Sequence, residues 1–357
     1  KWYDLHTHFR QGPNLPAYVR AHLDMGCAGA LAMPNTQPPV SRVLGENTDT
    51  SWSIESYAQS IREAGGDAFD QLIVPLYLTR ETTPEMIYEG AESGLLQACK
   101  YYPPHGTTNS QHGLPIDELL QGKVLHAMED AGVVLCIHGE KHEQSGPDYF
   151  DANRNAEKSF YEEFMPTLLG LYPNLKIVCE HITTRAAVSF VEHAGDKIGA
   201  TVTPQHLLFT IGNLVENLNP QLYCKPLLKF EEDRHALQAA VIRPGQSRVF
   251  AGTDSAPHTT KATECGCAAG CFTGGCAPQM YAMGFEAAEA DLSTDESRRA
   301  FEKFLCTNGP AFYGFPSSSE TFEMERESSA TEILEAAEGT VTPLPYGLNM
   351  SLDWALK

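Results

Sequence analysis

The stretch WYDLHTHFRQGP, residues 2–13, begins as an apolar strand and ends in a cluster of His6, His8 and Arg10. No Gly-rich phosphate-binding turn follows it, which argues against a doubly wound sheet. Seven more apolar, β-branched runs follow: 27–34, 71–79, 95–101, 132–138, 175–182, 199–204 and 248–254. Helical patterns lie between most of them, for example over 116–132 and 160–173. Near-continuous apolar strands separated by helices predict a parallel sheet covered on both faces. Eight such units predict an α/β fold of the (β/α)8 TIM-barrel type over residues 1–313. Residues 314–357, starting near PSSSE, read as a C-terminal extension packed on that barrel.

The totals bound the function. At 357 residues, one large barrel or two ordinary domains both fit, and 42% apolar content supports a real core. A formal charge of −21 with no basic stripe argues against nucleic-acid binding. An anionic small-molecule substrate would need a local positive site against that field. No apolar run of about 18 residues predicts a membrane span, and no signal-peptide pattern opens the chain. The chain starts without Met, so a longer or processed native start is expected. Of ten cysteines, Cys27, Cys99, Cys136 and Cys179 lie in apolar runs. That usage predicts reduced thiols and a cytoplasmic protein.

A barrel keeps its chemistry at the C-terminal ends of its strands. There stand His6 and His8, Lys100, His138, His181 and Asp254. Burying any of them unpaired costs roughly 2–7 kcal/mol. Side chains at i and i+2 of a strand share a face, so His6 and His8 converge. Imidazole and carboxylate suit zinc. The set is too large for one catalytic zinc and fits two metals a few Å apart with water between them. Lys100 joins such a centre as a carbamate, an anion with two oxygens formed by capture of CO₂; the plain alternative pairs it with a carboxylate.

Several motifs extend the pattern: DLHTHFR (4–10), MPNTQPP (33–39), KYYPPHGTTNSQHG (100–113), IHGE (137–140), EHITT (180–184), TPQHLLF (203–209), YCKPLLK (223–229) and GTDSAPH (252–258). Together they resemble dihydroorotase, in the compact monofunctional branch of the amidohydrolase superfamily. The resemblance implies a binuclear zinc barrel, a homodimer, and reversible cyclisation of N-carbamoyl-L-aspartate to L-dihydroorotate in pyrimidine biosynthesis. It implies that His6, His8 and Asp254 hold the more buried metal and that His138 and His181 hold the other. N6-carboxylated Lys100 bridges both. Arg10, Asn35 and His258 bind the substrate carboxylate, Arg10 through its planar fork. Thr107 and Thr108 sit in a loop that closes over substrate. The bland alternatives are a turn residue at Asn35, a surface histidine at His258 and an ordinary polar loop at Thr107–Thr108.

The implied mechanism uses a metal-bridging hydroxide as nucleophile, with Asp254 as general base and then acid. Lys225 stands where some members carry an apolar residue; this is harmless if only its backbone touches substrate, and otherwise its ammonium changes the local field. Ala268 is a further expected contact. It lies in a Cys-rich loop, CGCAAGCFTGGCAP (265–278), longer than the family's usual form. The spacing of Cys265, Cys267, Cys271 and Cys276 lacks the paired knuckles of common structural zinc sites, which favours reduced thiols. Two rivals remain: a hydantoinase-like cyclic amide hydrolase on the same scaffold, and a silent barrel acting as a scaffold. The second is disfavoured because every expected ligand is present.

Overall fold

All eight apolar runs form parallel strands in the computed structural model, which describes residues 1–357 except 145, 150 and 265. The strands are β1 (Trp2–Thr7), β2 (Cys27–Ala32), β3 (Gln71–Ile73), β4 (Leu76–Tyr77), β5 (Ala98–Tyr101), β6 (Val134–Ile137), β7 (Ile177–Cys179), β8 (Ile198–Val202) and β9 (Val249–Ala251). The run 71–79 supplies two strands, with Pro75 between them, because proline has no N–H for the ladder. β3 pairs with β2, and β4 pairs with β5. The orders are β1-β2-β3 and β9-β8-β7-β6-β5-β4. At the far side, Asp254 N donates to His6 O at 2.8 Å and His8 N to Ser255 O at 2.9 Å. Backbone hydrogen bonds thus join the first strand to the segment after the last.

Period-2 alternation sorts the strand residues into two layers. Tyr3, Leu5, Ala98, Val134, Cys136, Val178 and Phe250 form one cluster. Their sequence neighbours, such as Cys99, Leu135 and Ile137, pack in a larger cluster with the helices. Ser53, Thr83 and Thr184 cap helices Ile54–Glu63, Pro84–Glu92 and Arg185–His193 by accepting backbone N–H bonds.

Two helical runs are interrupted. The pattern over 116–132 resolves into Ile116–Gln121 and Val124–Ala131, broken at Gly122, a weak helix former. The pattern over 160–173 is split between Ala156–Glu163 and Met165–Leu171, where Pro166 begins the second helix. Beyond residue 313, Met324–Glu325 pairs with Ala355–Leu356, and Leu334–Ala336 with Gly339–Val341. Val341, Leu344 and Leu352 are buried, and Leu344 N donates to Phe272 O at 2.8 Å. Among the described residues, no helix is long and apolar enough to cross a membrane.

Candidate active site

Strand parity positions most of the site. Lys100 shares the inner face with Ala98, and His138 shares it with Cys136. From Val178, the same count lands on Glu180 rather than His181. His181 and Asp254 adopt the left-handed region, at φ 40° and 49°. Such backbone costs of order 1–3 kcal/mol for a non-glycine residue and clusters at functional sites. In β1 the pairing register slips by one between Asp4 and Thr7. Such a bulge re-aims side chains, and His6 meets Glu180, His181 and Asp254.

His6, His8 and Asp254 are buried, and their ligand atoms lie within 4.8 Å of one another. Asp254 Oδ1 is 2.9 Å from His8 Nε2 and 3.3 Å from His6 Nε2. The other ring nitrogen of His6, Nδ1, donates to Glu180 Oε2 at 2.6 Å. Glu180 also accepts from Thr201 Oγ1 at 2.6 Å. This fixes the His6 tautomer and leaves Nε2 facing Asp254. Burial would raise the Asp254 carboxyl, but His6 and His8 hold it well below the usual range. Burial pushes His8 down to about 4 and His181 well below its ordinary value. Both imidazoles are therefore neutral, as cation ligands must be.

His181 lies between His6 and His138, with ring centroids 4.8 Å from each. His138 Nε2 donates to Glu140 Oε2 at 2.7 Å, which leaves Nδ1 as its free ring nitrogen. Lys100 is fully buried, and its Nζ has no hydrogen-bond partner. Burial lowers its pKa. Among the described residues it makes no ion pair with a carboxylate, although Glu180 and Asp254 oppose the effect of burial, and its Nζ lies 5.0 Å from the centroid of the Tyr102 ring. Lys100 Nζ, His8 Nδ1, His181 Nδ1 and Glu180 Oε1 are all buried without a hydrogen-bond partner. Two imidazoles and a carboxylate brought together in burial, His6 held toward its charged form by Glu180 against the effect of burial, are a donor set that fits a divalent cation on His6, His8 and Asp254.

The positive charge sits beside this group. Arg10 Nη2 is 3.3 Å from His258 Nε2, which faces Ala269 O at 2.8 Å. Burial and the Arg10 charge push His258 down to about 3. Asn35 Nδ2 donates to Thr108 O at 2.8 Å, and Thr108 Oγ1 donates to Ala269 O at 3.3 Å. The loops of Asn35, Thr108 and Ala269 therefore meet beside His258. Thr107 N donates to Ser110 Oγ at 2.9 Å, so Thr107 is held by the turn of its own loop. Both backbone groups of Ala268 bond to Lys261, and Ala269 is the neighbour that faces His258. Lys225 Nζ lies 4.0 Å from the centroid of the Tyr149 ring, and Tyr149 in turn donates to Glu140. Cys267, Cys271 and Cys276 carry free thiols; Cys265 lies outside the described residues.

Sequence reasoning missed Glu180, Glu140 and the buried Asp4. Asp4 accepts from Thr253 N and Oγ1 at 2.9 and 2.6 Å and lies 3.2 Å from His22 Nε2. For Glu180 a signal existed: an acidic residue next to a strand-end histidine, on the inward parity of an apolar run. Chemically, the site can hold a cation, bind a carboxylate, and keep an ionised Asp254 between them.

No family model matches the chain. Dihydroorotase from Vibrio cholerae is 39% identical over 360 residues, 99% of this chain and 97% of that protein. The crystal structure of dihydroorotase in complex with 5-fluoroorotic acid from Saccharomyces cerevisiae matches with a TM-score of 0.85 at 26% identity, over 100% of this chain and 96% of that one. A D-hydantoinase from Thermus sp. shares the fold alone, with a TM-score of 0.73 at 15% identity over 99% and 81% of the two chains. Near-complete two-way coverage at this identity, on a chain with a buried His/His/Asp group at its strand ends, establishes that this chain belongs to the dihydroorotase family of cyclic amide hydrolases.

Proposed function

We infer that this chain interconverts N-carbamoyl-L-aspartate and L-dihydroorotate, the ring-closing step of de novo pyrimidine biosynthesis. The observation that carries the reading is the Arg10–His258 pair beside the His6/His8/Asp254 group. One part suits a substrate carboxylate and the other a cation that activates an amide. The strand ladder supports a closed (β/α)8 barrel over 1–313, with 314–357 as its extension.

His6, His8 and Asp254 would hold one zinc, and His138 and His181 a second. Lys100, a buried amine of lowered basicity, is suited to capture CO₂ and bridge them as a carbamate. When bound, the metals supply Lewis acidity and lower the pKa of water. For hydrolysis, Asp254 accepts the proton of the attacking water and delivers it to the amide nitrogen as the ring C–N bond breaks. Synthesis reverses these steps. Arg10, Asn35 and His258 hold the carboxylate, while Thr107 and Thr108 close the loop over it and exclude water. Lys225 and Ala268 are the further proposed contacts; the backbone of Ala268 is bonded to Lys261, which sets the neighbouring Ala269 carbonyl against His258. Free thiols support a cytoplasmic enzyme, and family membership supports a homodimer.

The test is a paired measurement on one sample: zinc per chain, and absorbance-monitored loss of L-dihydroorotate beside unsubstituted dihydrouracil. About two zinc ions with turnover of dihydroorotate alone is the expected result. Two metals with turnover of dihydrouracil alone would move the chain to hydantoinase-like chemistry. Metal near zero in protein purified without chelator would restore the scaffold reading.

A further inference from the structure

Arg10 Nη1 and the Tyr102 hydroxyl are both enclosed, and neither has a hydrogen-bond partner. Tyr102 is 1% exposed. Buried polar groups are nearly always paired, so two orphans in one site mark an absent acceptor. The Tyr102 ring is fixed from several sides. Tyr77 packs against it edge-on at 5.0 Å, Lys100 Nζ lies 5.0 Å from its centroid, and the His138 ring is 6.4 Å away. Tyr77 is itself tied to the closing loop, donating to Asn109 O at 3.3 Å. The phenol therefore holds its orientation without a ligand.

The loop that Tyr77 holds leads to the arginine: Asn109 Nδ2 donates to Asn35 O at 3.0 Å, Asn35 Nδ2 to Thr108 O at 2.8 Å, and Thr108 Oγ1 to Ala269 O, the carbonyl that His258 faces beside Arg10. With His138 and Lys100 on its other side, the phenol stands between the strand-end histidines and the loops around the guanidinium. A carboxylate presents two oxygens with several acceptor positions. One oxygen on Arg10 leaves the other for a second donor.

We propose that the Tyr102 hydroxyl donates a hydrogen bond to the substrate carboxylate, on the oxygen beside the one Arg10 holds, and so acts as a substrate-binding and specificity residue. The proposal rests on the reading of the substrate as a cyclic amide bearing a carboxylate. It also gives the site a way to reject amides that lack that group, because they leave both donors unpaired.

Tyr102→Phe keeps the ring and its contacts and removes only the donor. With wild-type turnover of L-dihydroorotate as reference, KM should rise about tenfold or more, the size expected for losing a hydrogen bond to a charged group. Turnover number should stay within about threefold, inhibition by orotate should weaken in parallel, and metal per chain should be unchanged. Unchanged KM and unchanged orotate inhibition would overturn the proposal and assign the hydroxyl to a water. Loss of metal together with activity would also overturn it, since the phenol would then serve assembly of the centre. Failure of the wild-type enzyme to act on dihydroorotate would instead bring down the functional reading, so the two failures are separable.

Discussion

Asp254 combines a left-handed backbone with contacts to two histidines, so its side chain has little freedom; in the proposed function it is ligand and proton carrier. Asp254→Asn keeps the shape and removes the base. Turnover should fall by about 10²–10⁴-fold, the usual worth of a general acid–base, with far-UV circular dichroism unchanged. Near-normal turnover would take Asp254 out of the proton's path. Glu157 makes a different prediction. Its buried carboxyl accepts from Thr183 N and Oγ1 and is pushed up by burial from 4.5 to about 7. Between those two values the folded chain binds more protons than the unfolded one, so this group's contribution to stability declines as pH rises through the window. Glu157→Gln should flatten that part of the melting-temperature profile. A variant with the same slope as wild type would show that another group sets it.

The element-level fit is tightest where strands cross beneath the site. A Cβ on Gly252 would stand 2.6 Å from Thr201 Cβ and 2.9 Å from His6 Cβ. Gly252→Ala should cost about 1–3 kcal/mol, as overpacking does, and lower metal retention by shifting His6. A urea midpoint and a metal count would read both, and an unchanged pair would show that the strands give way freely. The eight strand positions were legible in the sequence because residues buried on both faces read as unbroken apolar runs. The strand-end polar residues were legible for the complementary reason, as polar groups closing such runs. The helix breaks at Gly122 and Pro166 were hidden inside good amphipathic patterns. The ladders of 324–356 are two or three residues per strand, too short for any period to register. The slip in β1 was also illegible, since it is a property of pairing and not of composition. Glu140 and Glu180 passed as ordinary acidic residues because their role depends on which histidine nitrogen faces them.

For the whole molecule, a formal charge of −21 opposes the anionic substrate of the proposed function. Raising ionic strength from about 0.01 M to about 0.15 M shortens the Debye length from about 30 Å to about 8 Å. The specificity constant for dianionic carbamoyl-aspartate should rise with salt, and by more than that for monoanionic dihydroorotate. A fall with salt would mean that Arg10 and its neighbours steer substrate over the net field. The joining of the first strand to the segment after the last carries its own consequence, because His8 and Asp254 meet across 246 residues of chain. On the ribosome, the His6/His8/Asp254 group stays incomplete until Asp254 has emerged. Its assembly is thus a late event in biosynthesis, and a product truncated before that point carries the two histidines without the carboxylate that joins them.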